Sequence, residues 1–325
     1  MMLGRLVGAA LLACAVGTPA FAQEPDFSTG AGGLVIDAGD RIEILSQDLY
    51  ISRQAVRLRY VLRNRTANEV TIPIRFPLPD RGITRHQFEL RWPADFRTSV
   101  DGVPVTLQPR RRALLGTEDH SDLLTQLGVP ISHLDAGYEP VLQALAALPR
   151  DAQARLATLG LVEISETQGG APLLNPLWTV RESWQWEQAV PAGRDLVVDH
   201  SYTPGLAGAV NVGMASHAIR NSESGQEQIR RYCLDDAFLA GVDRLAALDA
   251  QDPSIAESWF TFFHGSGPVV GEYRLVVDRG DERTLASFCG EGARSAGPTQ
   301  VELRRSNWRP EGALRVLFLA PAPAE

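Results

Sequence analysis

The stretch "VRLRYVLRN", residues 56–64, decides the fold class. Val56, Leu58, Tyr60 and Leu62 recur at a spacing of two, and Arg57, Arg59 and Arg63 fill positions between them. Successive side chains of a β-strand point to opposite faces, so this is a strand with one buried and one wet face. The same spacing continues outward. "NRTANE" reads as a turn, after which Val70, Ile72, Ile74 and Phe76 repeat the pattern, with Pro73 on the other face. Proline has no N–H to give to a ladder, which places this strand at an edge or a bulge. In "FELRW", Phe88, Leu90 and Trp92 share a face, and "SVDGVPVTL" is a hairpin whose Asp101-Gly102 suits the positive φ angles of a type I′ turn. A run of short strands this dense predicts an antiparallel sandwich.

Near Arg110 the texture changes. "SDLLTQLG", "YEPVLQALAALP" and "RDAQARLATLG" have helical spacing, with Leu142, Leu145 and Leu148, then Leu156 and Leu159. Ser121 and Asp151 suit a first turn or cap, and Gly128 and Gly160 suit helix ends. Residues 113–168 are therefore expected to form a small helical insertion. Strands resume with Trp178, Val180, Trp184 and Trp186 on one face, then Leu196, Val198, His200 and Tyr202 aligned on the next. Leu234, Phe238, Val242 and Leu245 predict one further helix over 233–248. "GEYRLVVDRGDERTLASF", with Gly280 in its turn, then "TQVELRR" and "ALRVLFLA" close the chain as strands. The expected fold is mainly β: antiparallel, sandwich-like domains with a small α-helical insertion. The expected divisions are 1–22, 23–112, 113–168 and 169–325.

The N-terminus addresses the compartment. Arg5 is followed by an apolar run from Leu6 to Gly17 and by Ala20-Phe21-Ala22, the small-x-small pattern of a signal-peptidase site. Cleavage between Ala22 and Gln23 is expected. The run falls short of the roughly 20 residues that a membrane-spanning helix needs. "LLAC" gives lipidation at Cys14 as a second reading, a lipoprotein in place of a periplasmic or secreted chain. The formal net charge of the full chain is −8, and removing the segment that carries only Arg5 leaves −9. An acidic chain lacks the basic face that phosphate contacts require, so nucleic acid is not an expected partner. No transmembrane segment is expected in the mature chain.

Candidates for chemistry are sparse. Past the signal segment two cysteines remain, Cys233 and Cys289. An even count in an oxidising compartment favours a disulfide, with a free or redox-active thiol and a metal ligand as the alternatives. "TEDHSD" brings Glu118, Asp119, His120 and Asp122 together in sequence; Asp119, His120 and Asp122 are weak candidates for a divalent cation, against the reading of a solvated helix start. His200, on the apolar face of its strand, reads as a buried hydrogen-bonded histidine, with a general base as the alternative. "HGSGP", from His264, faintly resembles an esterase oxyanion loop but has no nucleophile elbow to serve. Trp178, Trp184 and Trp186 read as core, with an exposed sugar platform as the alternative. No cofactor is expected.

Several stretches together resemble one family. "GGLVIDAGDRIEILSQDLYIS", "FPLPD", "WQWEQAVPAGRDLVVDHSYTP", "GEYRLVVDRG" and "SFCGEGARSAGPTQVELRRSNWRPEGALRVLFL" look like the DUF4424 family of bacterial exported proteins. The resemblance implies export, a bacterial source and a largely β fold, carries no catalytic residue, and fits cysteines at positions 233 and 289. The expected function is that of a non-catalytic envelope protein, a binding or structural module that meets an envelope protein or a cell-wall component through strand edges, loops or the insertion. The alternative is a hydrolase whose site lies near His200 or His264.

Overall fold

The computed structural model describes residues 30–83, 92–132, 137–166, 172–210, 213–247, 255–264 and 267–321. About 49% of the described residues are in strands and 22% in helices, so the fold is mainly β. The first layer is one sheet of eight strands in the order Arg294–Ser295, Gln300–Trp308, Val270–Asp278, Ile42–Ser52, Val56–Asn64, Asp195–Thr203, Ala94–Val100 and Val103–Pro104. Neighbours run antiparallel except Val270–Asp278 and Ile42–Ser52, which are parallel. Val56, Leu58, Tyr60 and Leu62 are all 2% exposed or less, while Arg57, Arg59 and Arg63 face solvent. On that outer face Arg59 pairs with Asp199 at 2.9 Å and Arg63 with Asp195 at 2.7 Å, directly across the strand register. Two-residue strands close both sides of the sheet, leaving little open ladder for another chain to join.

The second layer is two sheets side by side. One contains Gln108–Leu115, Thr179–Val190 and Val70–Pro77; the other contains Ile255–Phe263, Ala313–Pro321 and Leu285–Phe288. The N-terminal segment joins them. Ala31–Gly32 pairs in parallel with Phe262 and Phe263, and a few residues later Val35–Ile36 pairs with Val70–Pro77. Glycine is required for this passage: a Cβ at Gly30 would lie 2.4 Å from the Phe263 ring, and one at Gly33 would lie 2.6 Å from the Tyr60 hydroxyl. The Tyr60 hydroxyl in turn accepts from the Leu34 amide at 3.2 Å and from Gln47 Nε2 at 3.3 Å. What reads as a polar, glycine-rich start is thus a segment that threads the core. Pro73 behaves as expected. It faces Glu187 on one side, and the ladder on its other side is confined to Arg75 and Ile74.

One apolar cluster fills the space between the layers, including Leu58, Tyr60, Phe76, Val198, Phe262 and Phe318. A second cluster is built by helices Ser121–Gln126, Tyr138–Ala147 and Arg150–Thr158, and contains Leu124, Val141, Leu145 and Leu156. It also draws on Ile83, Leu174, Trp178 and Val180, beyond the helices themselves. Between residues 113 and 168 the chain is not wholly helical: Val162–Glu166 is a strand, paired with Pro172–Pro176. A third cluster lies on the far side of Ala313–Pro321. There Leu317 and Leu319 meet Phe238, Val242 and Leu245 of helix Asp236–Ala247. A helix that helical spacing did not reveal, Glu223–Tyr232, precedes it. Asp101 and Gly102 have φ of 50° and 79°, as the type I′ turn requires. Gly280 does sit at a turn, but the strands on either side of it, Val270–Asp278 and Leu285–Phe288, belong to different layers. No helix among the described residues is long and apolar enough to cross a membrane.

Candidate functional site

Pairing of Asp195–Thr203 with Ala94–Val100 sets His200 opposite Thr98, both facing the core. Thr98 Oγ1 lies 2.8 Å from His200 Nδ1. The imidazole is 1% exposed and stacks at 4.5 Å from the Phe76 ring, with Tyr202 at 5.7 Å. Phe96 follows on the same strand as Thr98, 5.2 Å from Phe76, and Trp184 of the facing sheet stands 6.0 Å from Phe96. Beside these rings is a cavity of about 700 Å³. Phe96, Thr98, Val105, Leu107, Trp184 and His200 line it, and the segment after the Asp101-Gly102 hairpin supplies Val105 and Leu107. Its size and largely apolar wall are those of a small-molecule site.

Burial lowers the His200 pKa to about 4, because the charged ring would lose its hydration. His200 is therefore neutral at pH 7. Its Nε2 and the Trp184 Nε1 are enclosed and have no hydrogen-bond partner among the described residues. They are exceptions, since buried polar atoms in folded proteins are nearly all paired. Trp178 and Trp186 are buried, at 0% and 8% exposure, and Trp178 Nε1 donates to the Ile131 carbonyl at 2.9 Å. Of the three tryptophans, only Trp184 reaches the cavity.

His264 sits in a second, smaller hollow of about 210 Å³. Its ring meets Phe262, Tyr273 and Trp308 edge-on at 5.2, 5.9 and 5.4 Å. Burial lowers its pKa to about 4 as well. Neither histidine has a carboxylate among its described hydrogen-bond partners, so neither shows the orienting group that a general base needs. Cys289 borders this hollow and is joined to Cys233 in a disulfide spanning 56 residues. Cys233 ends helix Glu223–Tyr232 in the left-handed conformation, and Ser287 Oγ donates to the Tyr232 carbonyl at 2.8 Å. The bridge thus ties the helices to Leu285–Phe288. A loop of this length stabilises by about 4 kcal/mol in the chain-entropy picture.

The acidic run does not gather. Asp119 accepts from the Ser121 amide at 3.0 Å and from its hydroxyl at 2.5 Å, which holds its carboxyl below the usual range. His120 Nε2 stands 3.6 Å from Glu118, and Asp122 lies in the first turn of the helix that follows. Among the described residues no three His, Cys, Asp or Glu side chains converge as metal ligands would. Ala22, Gln23 and Cys14 lie outside the described residues.

One buried cluster escaped the sequence reading. Arg81 and Glu182 are 2% and 1% exposed and pair at 2.8 Å, with Arg111 3.4 Å from the same carboxylate and Arg81 stacked 4.6 Å over Trp92. Desolvation lowers the Arg81 pKa despite the partner charge. A signal was present: the spacing that aligns Val180, Trp184 and Trp186 puts Glu182 on the same inward face. The cluster sits where Arg81–Gly82 and Gln108–Leu115 flank Thr179–Val190, and it holds the strands from which the helical insertion departs.

The fold is a mainly β sandwich with helical cover, and a ligand-sized hollow lies beside His200. The chain belongs to the DUF4424 family, a domain of unknown function, whose pattern matches residues 22–317. No curated protein matches it in sequence. Among solved structures it is similar to a candidate nutrient-binding protein from Legionella pneumophila, with 11% identity, 89% of this chain and 70% of that chain covered, and a TM-score of 0.42. It is also similar to a two-domain M1 zinc metallopeptidase variant bound to L-arginine, at 7% identity and a TM-score of 0.21, and to an M1 zinc metallopeptidase from Deinococcus radiodurans, at 8% and 0.20. The matched region spans 85% of this chain and 42% of each peptidase.

Proposed function

We propose that this is an exported envelope protein of the binding class, periplasmic or secreted, with the cavity beside His200 as its ligand site. The observation that supports binding is the hollow of about 700 Å³, whose lining joins the apolar Phe96, Val105, Leu107 and Trp184 to the polar Thr98 and Asp199. Export is supported by the leader-like N-terminus and by the Cys233–Cys289 disulfide, which oxidising compartments favour. Residues 23–112 and 169–325 form the scaffold in this reading, and 113–168 are an insertion that offers a surface to an envelope protein or cell-wall component. The two-residue strands at the sides of the large sheet favour loops or the insertion over strand edges for that contact.

The test uses protein recovered from the cell envelope. Intact mass should show a chain beginning at Gln23 whose cysteines take alkyl groups only after reduction; a start at Cys14 bearing lipid would replace the periplasmic form with an anchored one. Native mass spectrometry and melting shifts against a library of small apolar and aromatic compounds then address the cavity. Binding should be lost in Leu107→Trp, which fills the hollow. Compounds that bind Leu107→Trp as well as the natural protein, or no binder at all, would remove the cavity as the site.

A further inference from the structure

The smaller hollow beside His264 carries a charge that nothing in the chain balances. Arg231, Arg315 and Glu311 line it together with Tyr273, Leu303 and Trp308, and the Tyr273 and Trp308 rings lie 4.5 Å apart. A guanidinium does not lose its proton in a protein, and it offers donors with no acceptor of its own, so withdrawing it from water calls for an acceptor nearby. Arg231 and Arg315 are both half-buried, and neither guanidinium has a hydrogen bond or ion pair among the described residues. Every other buried or half-buried arginine described is engaged. Arg53, Arg75, Arg112 and Arg274 meet carboxylates, as do Arg81, Arg111 and Arg220, while Arg279 and Arg305 donate to carbonyls. The two exceptions line one hollow.

The chain brings them there from different elements. Phe288 pairs with Val316, so the chain beyond Phe288 runs toward Arg315, and its next residue is Cys289. The bridge holds Cys233 at a Cα separation of 5.1 Å from Cys289, and Cys289 Sγ lies 3.6 Å from the Arg231 carbonyl. Both arginines are thus positioned next to Cys289, which borders the same hollow. Against the exposed Glu311 they leave one net positive charge. The volume, about 210 Å³, exceeds the roughly 150 Å³ in which a buried apolar cavity holds benzene.

We infer that this hollow is a second binding site, for a small monocarboxylate whose apolar body is about one ring in size. Arg231 and Arg315 donate to the carboxylate, and the body lies against Tyr273 and Trp308. Carboxylate oxygens match the fork of a guanidinium, and such charge-assisted bonds are the strong ones. The disulfide positions one arginine against the other.

Calorimetric titration of the whole oxidised protein with benzoate, benzamide and acetate tests this. Benzoate should bind at least tenfold more tightly than benzamide, which lacks the charge, and than acetate, which lacks the ring. Arg231→Gln and Arg315→Gln, shown folded by their melting transitions, should each weaken benzoate at least tenfold and leave benzamide within about twofold. Reducing the bridge should weaken benzoate several-fold; an unchanged affinity would overturn the positioning role of the disulfide. Leu107→Trp, in the cavity beside His200, should leave benzoate binding as it is. If Leu107→Trp abolishes it, benzoate occupies that other cavity, whose reading as the ligand site stands while this inference falls. The inference also falls if benzoate fails to bind, if benzamide or acetate binds as tightly, or if both glutamine variants retain the natural affinity. The three probes in the natural protein decide the matter even where a variant does not fold.

Discussion

Strands Val56–Asn64 and Ala313–Pro321 are equally long and both contribute to the main core, yet their sequences differ in kind. The first alternates, with apolar side chains toward the second layer and arginines outward. The second reads "ALRVLFLAP" and is apolar almost throughout, with Leu314 to Ala320 buried apart from Arg315. Val316 and Phe318 join the main core while Leu317 and Leu319 join the helical cluster behind it. A strand with water on one face needs polar residues there, and a strand covered on both faces does not. The run at 313–321 is therefore the mark, within the sequence, of a third layer. The disulfide from Cys233 to Cys289 fastens that layer to the neighbouring strand.

The contrast can be broken by substitution. Leu317→Ala, on the face that a plain sandwich would expose, should cost about 2–5 kcal/mol in denaturant unfolding, as buried leucines do. A loss under about 1 kcal/mol would mean that the helices cover this face only loosely. Acid tests the buried side of the first strand's partner. His200 titrates near its ordinary value when unfolded and at about 4 when folded. The unfolded chain thus binds the extra proton between about pH 6.5 and 4, so the stability is complete above that window and falls as the pH drops through it. The loss should be about 1–3 kcal/mol for this group, with His264 acting in the same direction. A His200→Gln variant should show a flatter slope over that window; an unchanged slope would place the buried proton elsewhere. The smallest effect belongs to the wet face. Arg59→Ala, which removes an ion pair to Asp199 whose partners are 54% and 39% exposed, should change stability by less than about 1 kcal/mol. A larger loss would show that the arginine rows on the outer face act as a network.

The cavity was only half legible. His200 was placed on its buried face by alternation alone, and Trp184 on another. Nothing local says that these two strands, in different sheets, lean toward one hollow under Phe96. The order Val180, Glu182, Trp184 hid the Arg81–Glu182 pair for a related reason: a carboxylate among apolar neighbours is assigned to solvent until its partner is known, and that partner lies 101 residues away.

By itself, the sequence determined what short-range physics can determine. The pleat of Val56–Asn64, the positive φ angles of Asp101 and Gly102, and the apolar stripe from Leu234 to Leu245 each depend on neighbours within a few residues, and each stands in the structure. The tertiary structure decided what depends on distant choice. It set the parallel pairing of Val270–Asp278 with Ile42–Ser52, sent the strands around Gly280 to different layers, and threaded Gly30 to Ile36 through the gap beside Tyr60. A two-residue period tells a strand which way to face, but it leaves the partner open. The partner is chosen when the whole chain buries its apolar faces at once.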